Sequence, residues 1–372
     1  MLTSTRSREI ATGVFIIAGV AVGFLLGEGA MRAMQEARFG AAQSVEKSSK
    51  FRIDPGTGLR LPKPGSVHGQ IRYNSLGFRG PEIVQPKPPG TVRIAFLGNS
   101  TTLDAFSGEA DNWAAVAARR VGEHAAPCGV DYLNAGVPGF ATDRVKRYYE
   151  SHIAALTPDL VVILPRDLNL DFDNYMIRRG LHDGVHYRPS WLAAHSVLWA
   201  KVEMNATIIA RQRRAERSQG RDDVNPAEVV EPFAGRLQSL VDSVRASGAV
   251  PILMQMTGRV RWDQDEATRV EASATDLFYM PYSDPVTLLK IKDEYNEALR
   301  QVATRNGVSL LEQHAVVPGD AVHFRDSLHF TPVGSRFVGD RVGSEMLETR
   351  EVRTVLTRCA GTFAAPGPGS AG

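Results

Sequence analysis

Five short apolar runs, at residues 92–97, 130–133, 160–164, 250–256 and 308–311, alternate with segments whose apolar residues recur at helical spacing. The helical segments lie at about 111–123, 142–155, 232–247 and 285–305, and a final one at about 332–347. Apolar runs of four to seven residues suit strands buried on both faces, and such strands are parallel strands covered by helices. The expected fold is therefore α/β, a three-layer α/β/α sandwich around a five-stranded parallel sheet. The fourth helical segment is well punctuated: Asp284 can cap it, Pro285 suits its first turn, and Asn306-Gly307 stops it. Leu288, Ile291, Tyr295, Leu299 and Val302 make its single apolar stripe.

The amino terminus adds a different element. Residues 10–26 read IATGVFIIAGVAVGFLL, without a charge, and Glu28 follows. About 17 apolar residues is the low end for crossing a bilayer. Arg6 and Arg8 precede the run and favour a cytoplasmic amino terminus, against Arg32 and Arg38 on the far side. A cleaved signal peptide is the alternative, with Gly27-Glu28-Gly29 a poor cleavage site. The expected organisation is a transmembrane anchor over 1–35, a stalk and a Pro/Gly-rich wrapping segment over 36–90, the α/β domain over 91–350 and a flexible tail over 351–372. The interval 170–231 is too long for a plain connection and is expected to be an insertion, as a lid, a substrate wall or a peripheral addition. The anchor places the domain outside the inner membrane, on the periplasmic or extracellular side. Cys128 and Cys359 could pair there or remain two unrelated thiols.

Composition excludes several classes. A net charge of +2 and diluted basic runs give no footprint for nucleic acid. Arg213, Arg214 and Arg217 are offset by Glu216, Asp222 and Asp223 and suit a solvated helix end. No CxxC or HExxH occurs, and the one GxGxxG, at 367–372, has no strand before it. His182 and His186 have the spacing of ligands on one helix face, but Gly180 and Gly184 oppose a helix there. No metal or other cofactor is expected.

The first strand ends in Phe96-Leu97-Gly98-Asn99-Ser100-Thr101-Thr102. A serine at the carboxyl end of a strand stands where open α/β sheets place reacting groups. A hydroxyl becomes a nucleophile when a base takes its proton and an acid orients that base. His329 and Asp326, three residues apart far downstream, can supply both if the fold returns them to Ser100. No GxSxG elbow surrounds Ser100, so the α/β-hydrolase pattern does not apply. His323 is expected to be a surface loop residue, and Asp104 a cap for the helix that follows.

On three blocks the chain resembles the SGNH/GDSL hydrolases. Gly98-Asn99-Ser100-Thr101 corresponds to their GDS block, Asn134-Ala135-Gly136-Val137-Pro138-Gly139 to their N-x-G-x-x-G turn, and Asp326-Ser327-Leu328-His329 to their DxxH. The run Asn-Ser-Leu-Gly-Phe-Arg-Gly at 74–80 and the anchor resemble a bacterial membrane-tethered subgroup, and the likeness covers roughly residues 51–348. It implies a flavodoxin-like SGNH fold and a serine esterase working through an acyl-enzyme. Ser100, His329 and Asp326 would form the triad, and Ser100 N–H, Gly139 N–H and an asparagine side chain would form the oxyanion hole. Two departures stand out. Asn99 replaces the family's aspartate, and Pro165-Arg166-Asp167-Leu168-Asn169 replaces G-x-N-D, so the third donor falls to Asn169, Asp167 or Arg166. The expected substrates are acylated small molecules, glycans or lipids. The alternatives are O-acyl transfer to an envelope polysaccharide and a non-catalytic glycan- or partner-binding domain.

Overall fold

The computed structural model describes residues 2–39, 51–180, 190–217 and 224–364. Chain contacts divide it into two compact units, Met1–Lys50 with His186–Ala210, and Phe51–Val185 with Arg211–Gly372.

The first unit is built on one long helix, α1 (Leu2–Phe39). Its stretch Thr12–Met34 is 23 residues long with mean hydropathy 2.1 and is long and apolar enough to cross a membrane. Glu28 of α1 accepts from Ser196 Oγ at 2.8 Å, from Leu198 N at 2.9 Å and from Val197 N at 3.2 Å. The carboxylate thus satisfies the free N–H groups that open another helix, Val197–Arg217. Residues 196–198, within the expected insertion, therefore bond to the apolar helix.

The second unit opens with two antiparallel ribbons, β1 (Phe51–Ile53) with β2 (Arg60–Pro62), and β3 (Val67–His68) with β4 (Ile71–Arg72). The sheet follows: β5 (Thr91–Gly98), β6 (Gly129–Gly136), β7 (Leu160–Leu164), β8 (Val250–Met254) and β9 (Ser309–Leu311). All its pairings are parallel, in the order β6, β5, β7, β8, β9. Alternate residues of β5 face opposite layers. Ala95 and Leu97 join a core with Phe172, Phe233 and Tyr295, while Ile94 and Phe96 join one with Trp113, Val338 and Val342. The three-layer α/β/α sandwich expected from the alternation is what forms. Because β6 and β7 flank β5 on opposite sides, the chain reverses direction across the sheet at β5, and the crevice outside its carboxyl end opens there.

One boundary and one helix differ from expectation. The flexible tail expected over 351–372 is not flexible over 351–364, because Arg350–Ala364 is helical, buries Val352 and Val355, and bonds Cys359 to Cys128. A helix over Glu266–Tyr279 fills a stretch left unassigned by periodicity, since it buries only Ala272, Ser273 and Asp276. His182, His186 and the terminal glycine motif lie outside the described residues.

Candidate active site

Strand β5 delivers Ser100 to the crevice. Asn99 follows the strand and caps a one-turn helix, α2 (Ser100–Leu103), its Oδ1 accepting from Thr101 N at 3.1 Å. The turn packs so closely on β6 that a Cβ at Gly136 would stand 2.2 Å from Leu103 N, so glycine alone fits. Asn134 locks the same contact, donating Nδ2–H to Thr102 O at 2.7 Å and accepting from Gly136 N at 3.0 Å.

The loop after β9 returns Asp326 and His329 to this turn. His329 Nε2 lies 2.9 Å from Ser100 Oγ, and His329 Nδ1 lies 2.8 Å from Asp326 Oδ2. Asp326 Oδ1 accepts from Leu328 N and His329 N, both at 2.9 Å, so the three-residue spacing closes an Asx-type turn that fixes acid against base. Burial raises the Asp326 carboxyl, but its hydrogen bonds to His329 and that residue's charge outweigh it, and the group sits below its ordinary value. An ionised carboxylate can only accept, so Nδ1 carries the ring proton and Nε2 is left to accept from the Ser100 hydroxyl. Phe106 meets His329 edge-on with ring centroids 5.7 Å apart, and the Arg325 guanidinium lies 4.4 Å over Phe106.

A cavity of about 410 Å³ adjoins Ser100 and His329. Gly139 lines it with φ +79°, in the left-handed region, and a Cβ there would meet open space. Among the described residues no acceptor is present for Gly139 N–H or Ser100 N–H. Arg166 and Asn169 line the same cavity and Asp167 does not. Asp167 is buried, its Oδ1 accepting from Thr142 N at 2.8 Å and Thr142 Oγ1 at 2.9 Å, its Oδ2 from Arg236 Nε at 2.9 Å. That removes it as a donor toward the cavity. Arg166 is tied to Asp276 at 3.0 Å, whereas the exposed Asn169 carboxamide has no partner among the described residues. Asn99 Nδ2 donates to Arg166 O at 3.2 Å. An aspartate at 99 could not make that bond, so the two departures from the family pattern meet in one contact.

Sequence reasoning missed the charges behind the cavity wall. Lys292 is 2% exposed, and its Nζ and Asp276 Oδ2 have no hydrogen-bond partner among the described residues. Burial drives the Lys292 ammonium down to about 7, Asp276 opposing and Arg166 and Arg261 adding to the fall. A lysine lowered from about 10.4 binds fewer protons folded than unfolded between those values, so stability rises with pH across about 7 to 10. We expect thermal melts to shift upward across that window and Lys292→Met to flatten the rise while raising the midpoint below pH 7. A variant that melts with the wild-type pH slope refutes this. His323 is half-buried, with Nδ1 2.8 Å from Asp320 Oδ1. Asp104 reaches the helix Trp113–Gly122 as expected, accepting from Trp113 N at 3.2 Å.

No protein-family model and no curated protein matches the chain. Among solved structures, the acetyl xylan esterase AlAXEase is similar over 68% of this chain and 99% of its own, at 12% identity and a TM-score of 0.42. Axe2, an acetylxylan esterase from Geobacillus stearothermophilus, is similar over 71% and 97%, at 16% identity and 0.41. A lipolytic protein of the G-D-S-L family from Desulfitobacterium hafniense is similar over 68% and 98%, at 12% identity and 0.38. Likeness at this level leaves the chemistry to be argued from the chain's own side chains.

Proposed function

We propose that the protein is a serine ester hydrolase of the SGNH type, held at a membrane by its amino-terminal helix. The relay Ser100 Oγ, His329 Nε2, His329 Nδ1, Asp326 Oδ2, with steps of 2.9 and 2.8 Å, carries the reading. Ser100 attacks the ester carbonyl while His329 takes its proton and returns it to the leaving alcohol. Water then repeats the cycle on the acyl-enzyme. Ser100 N–H, Gly139 N–H and the Asn169 carboxamide, each without a competing acceptor among the described residues, hold the developing oxyanion. The mouth is open, with Tyr279 49% and Leu170 38% exposed, which favours water over a sugar hydroxyl as acceptor. Exposed Phe278 and Tyr279, packed edge-on, suit the apolar face of a sugar, so an O-acylated glycan is the preferred substrate. Arg6 and Arg8 ahead of the apolar stretch Thr12–Met34, and the Cys128–Cys359 bond, support a catalytic unit outside the cytoplasm.

A fluorophosphonate probe and p-nitrophenyl acetate test the reading. Stoichiometric labelling and turnover are expected, and a folded protein that gives neither overturns it. Asn169→Ala is expected to lower kcat by about 10²–10³-fold with KM little changed, as for loss of one oxyanion donor. An unchanged kcat would transfer that role to Arg166.

A further inference from the structure

The run at 74–80 has no part in the relay, yet its arginine is wholly buried beside it. Arg79 is 0% exposed, and its backbone pairs with Asn134 in both directions, at 3.1 and 3.3 Å. Its Nη1 donates to Leu103 O at 2.6 Å and to Asp104 O, and its Nη2 to Ser107 O at 2.6 Å and Gly108 O at 3.2 Å. Its Nε meets Glu109 Oε1 at 3.1 Å. Leu103 and Asp104 end the turn that Ser100 begins, and the loop they open carries Phe106 against the His329 ring. Within the turn only Ser100 O accepts an internal bond, from Asp104 N. Thr101 O accepts from Trp113 Nε1 and Thr102 O from Asn134 Nδ2, and the guanidinium is the partner of the last carbonyl, Leu103 O, and of Asp104 O after it.

The same loop is held from inside. Asp104 adopts φ +56°, a conformation that a non-glycine residue keeps only when its surroundings impose it. Its carboxylate, raised by burial, accepts from Ser335 Oγ, Ser107 Oγ and Trp113 N. Arg79 closes the opposite side. A lysine has one nitrogen and cannot reach two pairs of carbonyls and a carboxylate together.

We propose that Arg79 is a positioning residue for the Ser100–His329 step: it sets the loop 103–109 and, through Phe106, the His329 ring. The ribbon segment ahead of the α/β sandwich is then part of the catalytic apparatus. This rests on the ester-hydrolase reading and extends it to a residue that touches no substrate.

The test uses the full chain in detergent micelles, with Arg79→Lys, Phe106→Leu and, as reference, Ser100→Ala. It measures kcat and KM on p-nitrophenyl acetate, thermal midpoint and the histidine ring ¹³C–¹H spectrum, with the His329 peak assigned by its loss in His329→Asn. Arg79→Lys is expected to lower kcat about 10–100-fold with KM within about two-fold. The His329 peak moves while those of the remote His124 and His152 stay. Phe106→Leu moves the same peak with a smaller loss of kcat. Wild-type kcat and an unmoved His329 peak in Arg79→Lys overturn the proposal, as does a loss of activity that only follows the unfolded fraction. Should Arg79→Lys fail to fold, Phe106→Leu decides on the same readouts. If wild type neither turns over ester nor takes the probe, the hydrolase reading fails, and the His329 peak still decides whether Arg79 sets the ring.

Discussion

Ser100→Ala should abolish ester turnover and fluorophosphonate labelling while leaving the melting curve where it was. The hydroxyl takes no part in capping its own turn, which Asn99 does, and its hydrogen bond is to His329 Nε2. Removing it deletes the proposed nucleophile and nothing that the fold uses. For a triad acting as a unit the loss in kcat is about 10⁴–10⁶-fold, the remainder being supplied by substrate binding and the oxyanion donors. His329→Ala should cost about as much, and the double variant little more, because either deletion stops the same proton transfer. The melting curve makes the result diagnostic. Lost labelling with an unshifted midpoint assigns the chemistry to Ser100. Labelling that persists in Ser100→Ala, with the probe mapped by peptide mass spectrometry to another residue, would remove the triad from the mechanism.

What the sequence exposes follows from what each residue must do locally. Strand β7 and all but the first residue of β8 are buried and carry only apolar residues, so those runs stand out; β5 breaks its buried apolar run only at Arg93, which is paired with Asp131 of β6. Ser100, Asp326 and His329 are legible because their spacing is dictated by local turns, the cap at Asn99 and the Asx-type turn at Asp326. The third block is different. Its residues are sorted by partners 69 and 110 positions away, Arg236 for Asp167 and Asp276 for Arg166, and no local pattern records those meetings. Arg79 is hidden for the same reason: an arginine in a Pro/Gly-rich stretch reads as solvated until the loop 103–109 closes over it. The Cys128–Cys359 bond, 231 positions apart, needs the final helix to be placed on the sheet before the two sulfurs can be seen to meet.

Asp326→Asn should lower kcat by about 10³–10⁴-fold although it changes one heavy atom and preserves the fold. Asp326 Oδ1 already accepts two backbone N–H groups, from Leu328 and His329. In the amide the single oxygen stays with those two donors, and the NH₂ group is turned toward His329 Nδ1. Two donors cannot face each other, so Nδ1 gives up its proton and becomes the acceptor, and the ring proton moves to Nε2. Nε2 then donates toward Ser100 Oγ and can no longer take its proton. The defect is one of tautomer, so ¹⁵N spectra of the ring should show the protonated nitrogen exchanged between wild type and variant. There is a pH consequence with a definite sign. The Asp326 carboxyl is held below its ordinary value, so it stabilises the fold above about pH 4 and that contribution is lost as pH falls through the lowered value. Wild type should therefore lose stability on acidification more steeply than Asp326→Asn, the two melting curves converging at low pH. A variant that retains kcat within about ten-fold and keeps the wild-type tautomer would show that Asp326 closes a turn and does not orient the base.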